Sequence, residues 1–413
     1  MTSAAMTSPV RSSPFRVALC LLTALAVAGC NDSSKTTSGS GGSVSAGSSG
    51  SASTTDKFEQ MRGELDRRYV LGPTLADSLG YRVAWNVDPV ARRESGPRSA
   101  VLEGDSLFVV DEANYLTRIL RSTGTRSWSW PVGDVSDTVL GVCRGVAQGR
   151  DVVLAVTEGD VHIFDASNGV QIGRHVLSRV AGTPPVLFGP SIIYGSIGGQ
   201  LVWHHYESNS YIGGYTLQGG IRVPPTLSDT IVVAVSDRGH IMVLDARTRT
   251  QLWSRMAREA IVAPPAVGPT AVFVASLDQY IRCYDLGTGE VVWSTLHAEP
   301  LRESPVLIGD RLYLHTEDKG LCCYEAIPVA DLDGNLLWSN PSIHGTVIGR
   351  HRGALMTWHG RNRVLTLLDE KSGTVLNTIS MPKVRHLVVS AFDGGDLFAV
   401  GDSGSVTKAV PRQ

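Results

Sequence analysis

The chain has 413 residues, 42% of them hydrophobic and 18% charged, with a formal net charge of −2. Near-neutral, interspersed charge and 7% aromatic residues give no nucleic-acid footprint. The length suits two or three ordinary domains, or one closed all-β repeat array, so internal repeats must be sought before any domain is cut.

At the start of the chain, Arg11 and Arg16 form a positive segment without acids, followed by an apolar run from Val17 to Ala28. That run of about a dozen residues is too short for a stable bilayer span and has the proportions of a secretory signal. It closes in Val27-Ala28-Gly29-Cys30, which resembles the lipobox of bacterial lipoproteins. The resemblance implies a signal peptide over 1–29 and a diacylglycerol on the Cys30 thiol, against the plainer reading of an ordinary signal with a chance cysteine. Residues 30–55 are almost entirely Ser, Gly, Thr and Ala and cannot repay the entropy of ordering. As a flexible coil they span roughly 25–30 Å, a tether between lipid and folded body. Asn31 after the cysteine, where an aspartate would favour inner-membrane retention in such lipoproteins, leans toward the outer membrane.

Residues 56–79 are expected to hold a short helix and a connector. Asp56 and Glu59 resemble a capping box, and Phe58, Met61, Leu65 and Tyr69 fall on one helical face. Packing of that face beneath the folded body is the expected role, with a partner contact as the alternative.

From residue 80 onward the chain is all-β in pattern. The stretch 261–293 reads as short alternating strands, AVFVAS, YIRCYD and EVVW, separated by turn residues. Its landmarks recur at forty-residue spacing: Pro184, Pro224 and Pro264; Asp245 and Asp285, with Asp165 eighty residues before Asp245 and His205 between them; Trp253 and Trp293. Asp369 continues the acidic series after Glu325 with a four-residue insertion, and Trp128 continues the indole series upstream. Third strands then centre near 120, 165, 205, 245, 285, 325, 369 and 409. The last unit lacks a fourth strand, while Gly80–Val87 is a strand without a partner. Residues 80–413 are therefore expected to form an eight-bladed β-propeller of four-stranded antiparallel blades, closed by the N-terminal strand pairing with the C-terminal blade.

Each landmark has a structural reason. The prolines start a unit where no ladder donor is needed. The aspartates accept turn amides. The tryptophans fill the space between blades.

The run Asp285-Leu286-Gly287-Thr288-Gly289 followed by Trp293 resembles the repeat of pyrroloquinoline-quinone (PQQ)-type propellers. With a lipobox and eight units, the whole resembles the BamB family, propeller lipoproteins of the outer-membrane β-barrel assembly machinery. That resemblance implies a non-enzymatic scaffold on the periplasmic side of the outer membrane. Its implied partners are the periplasmic domains of a barrel-assembly subunit and unfolded outer-membrane proteins, with membrane contact through the lipid alone and no nucleic acid. In the family a Leu- and Arg-containing loop touches the partner. The nearest match is Leu217-Gln218, with glutamine in place of arginine and without the paired aspartates of the following loop.

Other features invite chemistry. Cys322-Cys323 resembles the vicinal disulfide of quinoprotein dehydrogenases, but adjacent residues on a strand face apart, which favours packing thiols. The same geometry argues against a shared metal at His204-His205. His315, His344, His351 and His359 show no ligand spacing, so no metal site is expected. The repeated acids lie around a ring and read as turn caps. No catalytic residue and no cofactor, PQQ included, is expected. A PQQ-dependent dehydrogenase and a ligand- or cell-wall-binding sensor are the alternatives.

Overall fold

A computed structural model describes residues 54–88, 96–327 and 333–412. Cys30, its lipobox residues Val27, Ala28 and Gly29, and nearly all of the Ser/Gly-rich tether lie outside the described residues.

Eight four-stranded antiparallel sheets follow one another along the chain. Blades 1 to 7 cover 97–131, 139–176, 186–216, 226–256, 266–296, 306–340 and 346–380, each with its strands in sequence order. Blade 8 takes three strands from 384–411 and its fourth from Tyr81–Val87. In that pairing Tyr81 lies opposite Pro411, Trp85 opposite Lys408 and Val87 opposite Val406. Around most of the ring the first strands of neighbouring blades touch, and the first strand of blade 1 touches that of blade 8. The ring closes through the two ends of the folded chain, leaving no sheet edge of blade 8 open at its third strand.

The apolar core is distributed rather than central. Among the described residues it divides into eight clusters, one between each pair of neighbouring blades. Blade 5 turns Phe273 and Cys283 toward blade 6, and Val272 and Tyr284 toward blade 4. Alternation along a strand feeds two clusters at once, so neither face of a blade is covered until both neighbours are present. The same alternation separates Cys322, packed toward blade 5, from Cys323, packed toward blade 7; both are free thiols.

In blades 1 to 7 a β-bulge falls between the third and fourth strands, at equivalent places such as Val243/Leu244 and Cys283/Tyr284. Such a bulge adds local twist to each blade.

Helix α1 (Thr54–Arg68) begins two residues earlier than expected, so Asp56 lies within its first turn rather than capping it. The expected burial of its apolar face also needs correction: Phe58 is 62% and Met61 51% exposed. What anchors α1 is its far end. Lys383, in the loop joining blades 7 and 8, donates to the carbonyls of Asp66 and Arg67 at 2.9 and 2.7 Å. A cation there complements the carbonyl end of the helix. Val70 and Leu71 then enter the cluster between blades 7 and 8, and α2 (Pro73–Ser78) leads into the closing strand.

Candidate partner-binding face

The repeat landmarks build the joints of the ring. Asp245 Oδ1 accepts the amides of Arg247 and Thr248 at 2.8 Å each. Asp285 accepts those of Gly287 at 3.0 Å and Thr288 at 2.8 Å. Asp165 and Asp369 do the same with Ser167 and Asn168, and with Lys371 and Ser372. These bonds hold the carboxyls below the usual range, led by the Thr248 and Thr288 amides at Asp245 and Asp285 and by the Ser167 and Ser372 hydroxyls at Asp165 and Asp369. Each acid acts within its own turn, and the four do not converge.

The turn so shaped receives the preceding blade's tryptophan. Trp128 Nε1 donates to Ala166 O at 3.1 Å, Trp253 to Leu286 O at 2.8 Å and Trp293 to Ala326 O at 2.8 Å. Two further indoles complete the series: Trp338 reaches Glu370 O and Trp85 reaches Arg121 O, both at 3.1 Å. Three of the accepting carbonyls also take a cation, from Arg118 at Ala166, Arg311 at Glu370 and Lys408 at Arg121. Blade 3 has Gly213 where an indole would sit, and Trp203 on the neighbouring third strand lies opposite it.

Pro184, Pro224 and Pro264 end the interblade loops just before the first strands. Pro184 and Pro185 press on the first strand of blade 2 so closely that a Cβ at Gly141 would lie 3.1 and 2.9 Å from them.

With those turns and joints on one face, the opposite face carries the interblade loops and the turns between second and third strands. Here the surface is mixed. Val135 is 81% exposed, and Val180, Ile197 and Val262 also stand out, interleaved with the Arg222–Asp237 pair and the Arg363–Asp402 pair. Exposed aliphatic residues within a polar surround suit a docking surface. Leu217 does not belong to it as expected: it is 3% exposed and packs between blades 3 and 4. Gln218 on the same loop is exposed, its backbone N–H donating to His240 Nδ1 at 2.8 Å.

The same face holds an open cavity of about 590 Å³ between blades 6 and 7. His315, His344 and His359 gather there, with ring centroids 5.5 and 5.9 Å apart in succession. The histidines looked unrelated in sequence, yet His315 and His359 are 44 residues apart, as are Glu325 and Asp369. That spacing does not make them equivalent: with Arg311 opposite Glu325 and Ala354 opposite Asp369, His315 matches Trp358 and His359 matches Thr316, so the two imidazoles meet from facing sides of adjacent blades and no repeat spacing announces them. His204 instead faces blade 2, where His175 lies at 6.3 Å, while His205 bonds to Ser208, so the pair does not share a site.

The comparisons with known proteins concern repeat and fold. The family model described as outer membrane protein assembly factor BamB matches residues 157–271 and 255–357. The crystal structure of BamB from Moraxella catarrhalis superposes with a TM-score of 0.62 at 17% identity, covering 80% of this chain and 97% of that one. The computationally designed Ika8 protein superposes with a TM-score of 0.61 at 14% identity, covering 78% and 98%. No curated protein matches the chain. The protein is thus an eight-bladed β-propeller of PQQ-like repeats that resembles BamB in repeat sequence and in fold.

Proposed function

We propose that the protein is a non-enzymatic scaffold of outer-membrane β-barrel assembly, tethered by a lipid on Cys30 to the periplasmic side of the outer membrane. The observation that carries this reading is the match of the BamB family model across blades 2 to 7 of a closed eight-bladed ring. Its partners in this reading are periplasmic domains of a barrel-assembly subunit and unfolded outer-membrane proteins. Docking uses the interblade-loop face, where Gln218, Val180 and Val262 are exposed. Among the described residues no helix is long and apolar enough to cross a membrane, which is compatible with a lipid as the anchor.

The non-enzymatic part of the proposal, without PQQ or another cofactor, is supported by the opposed, free thiols of Cys322 and Cys323 and by the purely local bonds of the repeated acids.

Crosslinking in intact cells followed by affinity capture of the full chain tests the role. Recovery of a large outer-membrane barrel subunit is expected. Capture that enriches only cytoplasmic or inner-membrane proteins overturns it. The mature chain mixed with PQQ and calcium is expected to give no dye-linked alcohol oxidation, and turnover would overturn the non-enzymatic part alone.

A further inference from the structure

The cavity between blades 6 and 7 has a composition that a docking surface does not require. His315 leaves the second strand of blade 6 and His359 the equivalent strand of blade 7, while His344 comes from the loop that joins the two blades. Three imidazoles thus reach one opening from three consecutive structural positions. His315 Nε2 and His344 Nδ1 are 3.4 Å apart. That is long for a nitrogen–nitrogen hydrogen bond. It is the separation of two ligands on a tetrahedral ion with bonds of about 2.0–2.1 Å, whose ligand–ligand edge is about 3.3–3.4 Å.

We propose that this cavity binds one late first-row divalent metal ion, with His315 and His344 as the fixed pair of ligands and His359 as the third. As the side chains stand, no three ligating groups among the described residues already surround one point. The third ligand is recruited by rotation of the His359 ring, whose centroid is 5.9 Å from that of His344. His359 is half-buried, so its rotation leaves the core undisturbed. A change between staggered rotamers costs little beside the gain from a metal–imidazole bond.

The charges of the cavity choose the class of ion. Glu303 and Glu317 line it, but so do Arg302 and Arg361, and the formal charges cancel. A hard cation such as calcium or magnesium, held by carboxylate charge and many oxygens, gains little there. Zinc, nickel and copper, for which imidazole is a preferred ligand, draw their affinity from the histidines themselves. Open space in the cavity leaves room for water or a partner's side chain in the fourth position.

The test uses the full chain without an affinity tag, stripped with a chelator and titrated calorimetrically with zinc chloride. One equivalent is expected to bind, magnesium and calcium are expected to give no heat, and cobalt in place of zinc is expected to develop the visible bands of tetrahedral coordination. His344→Ala and His359→Gln should each weaken zinc binding roughly tenfold or more. Their thermal midpoints without metal should stay at the wild-type value, which excludes misfolding as the cause. His205→Gln, remote from the cavity, should bind like wild type. Absence of zinc binding, or zinc binding unchanged in His344→Ala, would overturn the proposal.

Discussion

Trp253 and Gly289 form the joint between blades 4 and 5: the indole nitrogen bonds to Leu286 O at 2.8 Å, and a Cβ at Gly289 would stand 2.5 Å from the ring carbon Cδ2. Gly289 also holds φ at +68°, where other residues are strained. Equivalent glycines lie over Trp85, Trp128, Trp293 and Trp338. An indole thus enters each of these turns only because the turn has no side chain above it.

Gly289→Ala is therefore expected to destabilise the protein by about 2–4 kcal/mol, the sum of left-handed strain and overpacking. Gly309 has a similar φ of +59° with open space around it, so Gly309→Ala should cost only about 1–2 kcal/mol. Urea unfolding of the two variants beside wild type measures the difference, and equal losses would refute the joint.

Removal of residues 54–87 takes away the closing strand and Trp85 together. The strand Val406–Pro411 would then present an open ladder edge, a template for other chains. Size-exclusion chromatography is expected to show self-association of the truncated protein. A stable monomer would mean that the ring does not depend on its N-terminal strand.

His204 gives a pH dependence of known sign. Burial, with the neighbouring His175 and His205 charges as smaller causes, lowers its pKa from 6.5 to about 4. The unfolded chain takes up a proton near pH 6.5, whereas the folded one does not until about pH 4. Its effect on stability is nil above pH 6.5, grows as pH falls, and reaches about 3 kcal/mol of lost stability by pH 4. Neither ring nitrogen has a hydrogen-bond partner among the described residues. His204→Leu should thus be neutral or stabilising at pH 7 and should flatten this part of the acid dependence, as read by urea unfolding at pH 7 and 4.5.

The buried thiols are expected to resist alkylation in the folded protein. Burial pushes Cys283 and Cys143 up to about 12 and Cys323 up to about 11, so almost no thiolate is present at pH 8. Mass spectrometry after iodoacetamide should find Cys143, Cys283, Cys322 and Cys323 unmodified until denaturant is added. An isolated Cys322–Cys323 disulfide would contradict the opposed packing of the two side chains.

The ring was legible in the sequence because many of its joints repeat: an acid, a glycine and an indole recur at the same spacing in several of the turns where one blade locks the next. Legibility failed where the period broke or where contacts cross blades. Trp338 stands 45 residues after Trp293, displaced by the longer turn in blade 6, and so escaped a forty-residue register. Trp85 was visible as part of a lone strand, but its acceptor at Arg121 lies in blade 1 and no local pattern announces it. Leu217 was placed at a partner contact only by resemblance to the family's Leu- and Arg-containing loop, whereas its side chain turns inward between blades 3 and 4. The three-histidine cavity combines residues from the facing sides of two second strands, one step out of register, with a loop residue, an arrangement that only stacked blades create.

The central claim is that one face of this ring docks on the barrel-assembly machinery. A photoreactive residue placed in living cells at Gln218 or Val262, on the interblade-loop face, and at Leu252, on the outer strand of blade 4, tests it most directly. Crosslinks to an outer-membrane barrel subunit from Gln218 and Val262, with none from Leu252, are the expected result. Crosslinks to that subunit from Leu252 alone, or from no position, would contradict it.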